Sequence, residues 1–260
     1  NFPRHWPRTR QAAPPVNPEK ATALAELESS AKDSLHIVQL DVSDFDSIRA
    51  LPPKLEPILG ATGLDYLVNN AAMAVWDTAF TMDPDALLAT MRTNTAAPAL
   101  LSQVVLPFLE RARAKKILHI SSTGGSIASV SSEKMQDAYR KVTSYPMSKT
   151  ALNMLVCPRA FDVGAYVLTV AGGGVIRMQA YKQKVERPDL IVISMCPGWV
   201  KTVRCSVTYH LFTSFSDHMG GSNAALEPEE SIRGIINVIT SVTSADSGKY
   251  LSYNGDEIPW

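Results

Sequence analysis

The stretch KILHISSTG at residues 116–124 decides the fold. Its first five residues form a short, apolar, β-rich run, which is typical of a strand buried in a parallel sheet. Ser121 and Ser122 follow at once, so their hydroxyl side chains emerge at the carboxyl end of that strand. Ligands bind at the carboxyl ends of strands in open α/β sheets, although serines there are also common turn formers. The stretch therefore predicts a parallel sheet and marks the edge at which chemistry is expected.

Similar apolar runs alternate with helical patterns on both sides of this stretch, as in successive βαβ units. Ser43, with Asp46 three residues later, resembles a weak capping box at the start of a helix. The sequence indicates an α/β fold, namely a Rossmann-like, doubly wound parallel sheet in a single domain. The other predicted strands cover residues 35–40, 64–68, 190–195 and 249–253, and the predicted long helices cover 83–113, 144–156 and 228–242.

The composition favours a small, weakly charged partner. The 25 lysines and arginines balance 25 aspartates and glutamates, so no overall field attracts nucleic acid or an anionic membrane. No apolar run approaches the roughly 20 residues that a membrane-spanning helix needs. The three cysteines have no metal-like spacing and suit a reducing compartment. We therefore expect a cytoplasmic protein with no nucleic-acid, membrane or metal partner.

A second chemical signal lies in the helix predicted at residues 144–156. Tyr145 and Lys149 are four residues apart, so the phenol and the ammonium share one helix face. A nearby ammonium favours the ionised form of a phenol, which brings proton exchange towards neutral pH. Alone this pair is weak, because such spacing also arises by chance. The joint order of several motifs along the chain is the stronger signal.

The motifs in chain order are Asp41-Val42, residues 69–72 (NNAA), Asn94, Ser121-Ser122, Tyr145 with Lys149, and Pro197-Gly198. This ordered set resembles the short-chain dehydrogenase/reductase family, over residues 17–260. The stretches SKTALNML and GKYLSYNGDEIPW further resemble its C-factor-like and sniffer-like carbonyl reductases.

The resemblance implies hydride transfer between NAD(P)(H), with NADP(H) slightly favoured, and a small carbonyl or alcohol substrate. Tyr145 would be the acid or base, and Ser122 would hydrogen-bond the substrate oxygen. Lys149 would also hold the nicotinamide ribose, and Asn94 would anchor a water that relays protons. The residues implied in cofactor binding are Asp41, Val42, Asn70, Ala71, Tyr145, Lys149, Pro197, Gly198, Val200 and Thr202.

The chain also departs from the family pattern in three places. Residues 1–16 contain no glycine and no strand-like run, so we expect an atypical segment there and a domain lacking the first βαβ unit with its phosphate-binding turn. Inserts at about 157–180 and 203–218 interrupt stretches that otherwise read continuously. Our hypothesis is that both inserts are translated introns.

These features leave two functions open. The first is an NAD(P)-dependent oxidoreductase acting through Ser122, Tyr145, Lys149 and Asn94. The alternative is a non-catalytic relic of the family, or a binding subunit that cannot hold the dinucleotide. Another Rossmann-like enzyme, such as a methyltransferase, would explain neither the Tyr-Lys pair nor the carboxyl-terminal stretch. A family-type homo-oligomer stays open, because the insert after Val156 interrupts a helix that family members use to pair subunits.

Overall fold

In the part of the chain that the structure describes, four parallel strands form a central sheet. The computed structural model describes residues 26, 29–31, 35–130, 142–156, 187–201 and 224–260. The strands pair in the order β1-β2-β3-β4. They are β1 (Tyr66–Asn69), β2 (Lys116–Ile120), β3 (Ile191–Cys196) and β4 (Tyr250–Ser252). The predicted strands at 64–68, 116–120, 190–195 and 249–253 are thus confirmed to within two residues.

Helices lie on both faces of this sheet. The predicted helices at 144–156 and 228–242 are confirmed, and a five-residue π-helical turn at Arg92–Ala96 divides the helix predicted at 83–113. Short 3-10 turns lie at Thr123–Gly125 and Ser244–Asp246. The helices whose bounds lie within the described residues are α1 (Phe45–Arg49), α2 (Pro52–Leu59), α3 (Pro84–Met91), α4 (Ala97–Arg111), α5 (Ser144–Val156) and α6 (Pro228–Ser241).

Alternate residues of the central strands feed two separate cores, as period-two strand geometry requires. On one face, Leu118 and Ile193 pack with Val238 and other residues of α6. On the other face, Ile117 and Val192 pack with residues of α4 and α5. Every residue of β2 and β3 is buried, which explains why their sequences are apolar runs and not alternating patterns. The Rossmann-like, doubly wound arrangement is confirmed.

Two local predictions were wrong. Residues 35–40 form no ladder with the described strands, and none of their side chains is buried. An apolar run becomes a strand only where a neighbouring backbone pairs with it. The cap of α1 is Asp44, which accepts from Asp46 N at 3.0 Å. Ser43 does not take that role, and its hydroxyl and its backbone N–H both donate to Asp41 Oδ1.

The predictions for residues 1–16, 157–180 and 203–218 lie outside the described residues. Among the described helices, none is long and apolar enough to cross a membrane. Within the same residues, no group of three or more histidine, cysteine or acidic side chains could hold a metal ion.

Candidate active site

Ser122 lies where β2 leaves the sheet, at the edge that the sequence marked. Its side chain is buried, and its Oγ accepts from Gly124 N at 3.2 Å, which opens the 3-10 turn at Thr123–Gly125. Ser122 therefore serves as a turn former and also stands at the carboxyl edge. The turn-forming alternative is thus confirmed, and a ligand-binding role for Ser122 stays a prediction.

The turn after Ser122 packs directly against α5. A Cβ built on Gly125 would lie 2.7 Å from the Lys149 carbonyl carbon, so only glycine allows this approach. The Gly125 carbonyl accepts from Thr150 Oγ1 and from Asn153 Nδ2, each at 3.1 Å. These contacts hold the end of β2 against the helix that carries Tyr145 and Lys149.

Lys149 is buried beside Tyr145. Its Nζ lies 5.7 Å from the centroid of the Tyr145 ring and donates to the Ile120 carbonyl at 2.7 Å. Only 2% of Lys149 is exposed, and burial lowers its pKa to about 8, while the nearby Cys196 thiol acts in the opposite direction. An ammonium has three N–H donors. Among the described residues, the Ile120 carbonyl oxygen accepts one of them. The other two N–H donors have no assigned acceptor among the described residues.

Asn94 lies in the π-helical turn and is fully buried. Its Oδ1 accepts from Met73 N at 2.8 Å, and its Nδ2 donates to Met73 O at 2.7 Å and to Ser148 Oγ at 2.9 Å. Both amide donors are thus engaged, which leaves one lone pair on Oδ1. π-helical turns are frequent at functional sites, and this one joins the loop after β1 to α5.

Several of the residues predicted to bind the cofactor lie in the loops that follow β1 and β3. Asn70 and Ala71 follow β1 and are exposed. Pro197 follows β3, and its carbonyl accepts from Ser231 Oγ at 2.6 Å. Gly198 has φ +85°, and a Cβ there would lie 2.8 Å from Leu226 Cδ2, so another residue would be strained.

Four further residues are predicted to bind the cofactor, and the structure describes three of them. Val200 forms an isolated bridge with Leu226, beside Gly198. The Asp41 carboxylate shapes its own turn by accepting from Ser43, with Val42 half-buried between them. Arg92 Nε donates to the Ser43 carbonyl at 2.6 Å, which ties that turn to the π-helical segment. Thr202 lies outside the described residues.

The sequence did not reveal a polar row that crosses the sheet beneath this edge. In register, Asn69 pairs with His119, His119 with Ser194, and Ser194 with Tyr250. Asn69 Nδ2 lies 3.2 Å from His119 Nδ1, so Nδ1 accepts and the ring proton is on Nε2. Burial first, and then the charge of Lys149, lowers the pKa of His119 to about 4. The row is therefore neutral and lies next to the buried ammonium.

The sequence also missed Asp77, whose carboxylate meets the amino end of α5. Asp77 lies in the loop between β1 and α3 and is buried. Its Oδ1 accepts from Ser144 N at 2.9 Å. No local pattern connects residues so far apart along the chain, so sequence reasoning had no signal for this contact.

Comparison with known proteins agrees with the geometry. Residues 12–182 match the family model described as short chain dehydrogenase. The C-signal protein of Myxococcus xanthus is 27% identical over 199 residues, which cover 76% of this chain and 93% of that protein. A short chain dehydrogenase of Penicillium aethiopicum is 26% identical over 258 residues, or 98% of this chain and 90% of that protein.

Solved structures show the same similarity. The NADPH-bound carbonyl reductase from chicken fatty liver is 30% identical with a TM-score of 0.70, over 92% of this chain and 82% of that one. The carbonyl reductase Sniffer of D. melanogaster is 26% identical with a TM-score of 0.69, over 94% of this chain and 85% of that one. Sequence and fold therefore agree over most of the chain.

Proposed function

Because this chain belongs to the short chain dehydrogenase family and is therefore an oxidoreductase, we propose that it interconverts a small carbonyl compound and its alcohol through Tyr145, Lys149 and Ser122. The observation that carries the proposal is the burial of the Lys149 ammonium 5.7 Å from the Tyr145 ring, against the turn that Ser122 opens. A buried ammonium beside a phenol is costly to the fold, and groups of this kind cluster at functional sites.

Tyr145 is proposed to exchange a proton with the substrate oxygen. In the reducing direction its phenol donates the proton to the oxygen that gains negative charge, and in the oxidising direction its phenolate accepts it. The Lys149 ammonium favours the phenolate by its charge. With a pKa of about 8, Lys149 retains most of this charge at neutral pH.

Ser122 is proposed to stabilise the substrate oxygen by donating a hydrogen bond as charge develops there. Its Oγ already accepts from Gly124 N, so the rotating hydroxyl proton is available for a second partner. Asn94 is proposed to keep the loop after β1 and the helix α5 in fixed relation. One lone pair on its Oδ1 is left for the relay water that the family resemblance implies.

The chemistry of the residues near this edge fits a dinucleotide cofactor. The buried Lys149 ammonium has donors for ribose hydroxyls, and the exposed residues Asn70 and Ala71 would let a flat ligand approach closely. We propose that Asp41 and Val42 line the adenine, and that Pro197, Gly198, Val200 and Thr202 line the nicotinamide. When bound, the nicotinamide supplies or receives the hydride. NADP(H) is proposed over NAD(H), since the carbonyl reductase from chicken fatty liver binds NADPH.

Tyr145→Phe tests the catalytic assignment. General acid–base groups contribute typically 10²–10⁴-fold, so kcat should fall by about that factor when the hydroxyl is removed. Because Lys149 and the other residues proposed to bind the cofactor are unchanged, NADPH should still bind saturably to the variant. The measurement is NADPH oxidation with a panel of aldehydes, ketones and quinones, beside fluorescence titration with NADPH and NADH.

The matched control is Tyr66→Phe, which removes the hydroxyl of a partly exposed tyrosine on β1. This control should leave turnover unchanged. Equal turnover of wild type and Tyr145→Phe would refute the assignment. A folded protein that binds neither NADPH nor NADH would favour the non-catalytic alternative, which cannot hold the dinucleotide.

A further inference from the structure

Asp77 caps the helix that carries Tyr145 from a distant part of the chain. Its Oδ1 accepts from Thr143 N at 3.2 Å and from Ser144 N at 2.9 Å. Its Oδ2 accepts from the Ser144 hydroxyl, and its backbone carbonyl accepts from Thr143 N at 3.1 Å. Only 6% of Asp77 is exposed. The carboxylate is therefore dedicated to the first residues of α5.

Such a contact has a clear physical basis. The first N–H groups of a helix have no partner within the helix, and the helix dipole places partial positive charge there. A neighbouring side chain on the same segment usually accepts these bonds. Here the acceptor comes from the loop between β1 and α3. Since α5 begins at Ser144, one residue before Tyr145, whatever fixes Ser144 also fixes the backbone of Tyr145.

A second contact holds the same loop to α5 one turn later. Asn94 bonds the backbone of Met73 on both its N–H and its carbonyl, and its Nδ2 donates to Ser148 Oγ. Thr95 Oγ1 donates to the Ser148 carbonyl at 2.9 Å. Ser144 and Ser148 lie on either side of Tyr145 along the helix. The loop after β1 thus reaches α5 at two points that enclose the proposed acid.

We propose that Asp77 is a positioning residue that holds Tyr145 in reacting geometry by fixing the amino end of α5. This inference rests on the proposed function, since Tyr145 is taken as the proton donor. Asp77 acts through the helix backbone. This role requires a side-chain oxygen that accepts from the N–H groups of Thr143 and Ser144. An amide oxygen can accept the same two backbone bonds, whereas a methyl group accepts none.

The test compares Asp77→Ala with Asp77→Asn. Misplacement of a reacting group by about 1 Å can cost 10²-fold, so Asp77→Ala should lower kcat by about 10- to 100-fold. The KM for NADPH should stay within about twofold. Asp77→Asn should restore kcat to within about threefold of wild type, since Oδ1 remains an acceptor. A fall in kcat without a change in the KM for NADPH, together with the restored kcat of Asp77→Asn, distinguishes a positioning role from a loss of overall stability.

Two further variants keep the result interpretable. Ser144→Ala removes one hydroxyl only and should lower kcat by about threefold, which covers the case in which Asp77→Ala does not fold. The control is Asp83→Ala, because Asp83 caps the exposed start of α3 by accepting from Asp85 N at 3.1 Å. This control should leave kcat unchanged.

Hydrogen exchange provides a readout that does not depend on turnover. The amides of Thr143 and Ser144 should exchange faster in Asp77→Ala than in wild type, and at the wild-type rate in Asp77→Asn. If wild type binds NADPH but reduces no carbonyl, the proposed function fails and exchange alone decides whether Asp77 fixes the helix. Any of three results would overturn the inference. The first is unchanged amide exchange in Asp77→Ala, and the second is unchanged kcat in both Asp77→Ala and Ser144→Ala. The third is an Asp77→Asn variant whose kcat is as low as that of Asp77→Ala.

Discussion

At the scale of single residues, Lys149 shows a conflict between burial and charge. Its side chain is almost fully enclosed, and desolvation brings its pKa down to about 8 from the usual value of 10.5. The fold therefore carries a free-energy cost for keeping the ammonium charged at neutral pH. Functional sites commonly hold groups in such destabilising environments.

Lys149→Met is expected to raise the free energy of unfolding at pH 7 by about 1–3 kcal/mol, because no buried charge remains. Between a pH of about 8 and 10.5 the unfolded wild type binds more protons than the folded one, so its stability rises with pH across that window. In Lys149→Met the free energy of unfolding should not rise with pH across this window. Denaturant unfolding at several pH values measures both effects. An identical pH dependence in wild type and variant would contradict the prediction, and Lys54→Met on the exposed surface is the control.

Ser194 provides a second test at this scale. Its Oγ is fully buried and has no hydrogen-bond partner among the described residues. A buried polar group without a partner costs about 1–3 kcal/mol, so Ser194→Ala is expected to stabilise the protein by about 1 kcal/mol. Ser102→Ala is the matched control and should destabilise, since Ser102 Oγ donates to Pro98 O at 2.7 Å. Thermal unfolding compares the two, and equal destabilisation would show that Ser194 has a partner.

At the scale of elements, Lys116 joins β2 to the end of α6. Its Nζ donates to the carbonyls of Ile239 and Thr240, each at 2.9 Å, and the side chain is buried. The last carbonyls of a helix have no partner within the helix, and positive charge there is favourable. Lys116 thus attaches the helix on one face of the sheet to a central strand.

Lys116→Met is expected to lower the free energy of unfolding by about 1.5–3 kcal/mol, because hydrogen bonds to a charged group are lost and two carbonyls lose their partner. Urea unfolding measures this change. Lys249→Met is the control, because Lys249 pairs with Asp246 on the surface and its loss should change stability little. Equal effects of the two variants would show that the helix end does not depend on Lys116.

At the scale of the whole molecule, the two predicted inserts remain a proposal. We propose that residues 157–180 and 203–218 derive from retained introns, because the flanking sequences rejoin cleanly when both are removed. A chain without them should unfold at a higher temperature, since Val156 would continue directly into Tyr181 as one helix pattern. Sequencing of the mature transcript is the direct measurement. A transcript that retains both stretches would refute the proposal, and a shortened chain with an unchanged melting temperature would refute its physical reason.

Local pattern was sufficient for most elements. The strand at residues 116–120 and the helix at 144–156 have the predicted bounds, because burial on both faces and helical spacing are properties of adjacent residues. The run at 35–40 looked equally strand-like and was wrong, since a ladder also needs a neighbour. The same local reasoning placed Ser122 at the strand end and set Tyr145 and Lys149 on one helix face. Their catalytic roles stay predictions.

The sequence by itself determined the parallel sheet, the order of its motifs and the edge at which they meet, because periodicity and the carboxyl ends of strands follow from local chemistry. Only the tertiary structure decided that Asp77 caps α5, that Asn94 bonds Met73 and Ser148, and that His119, Ser194 and Tyr250 share one buried row. The hydrogen bonds among these contacts join residues that lie 21 to 67 positions apart in the sequence. Their energy depends on burial and on distances between segments, which no local pattern contains.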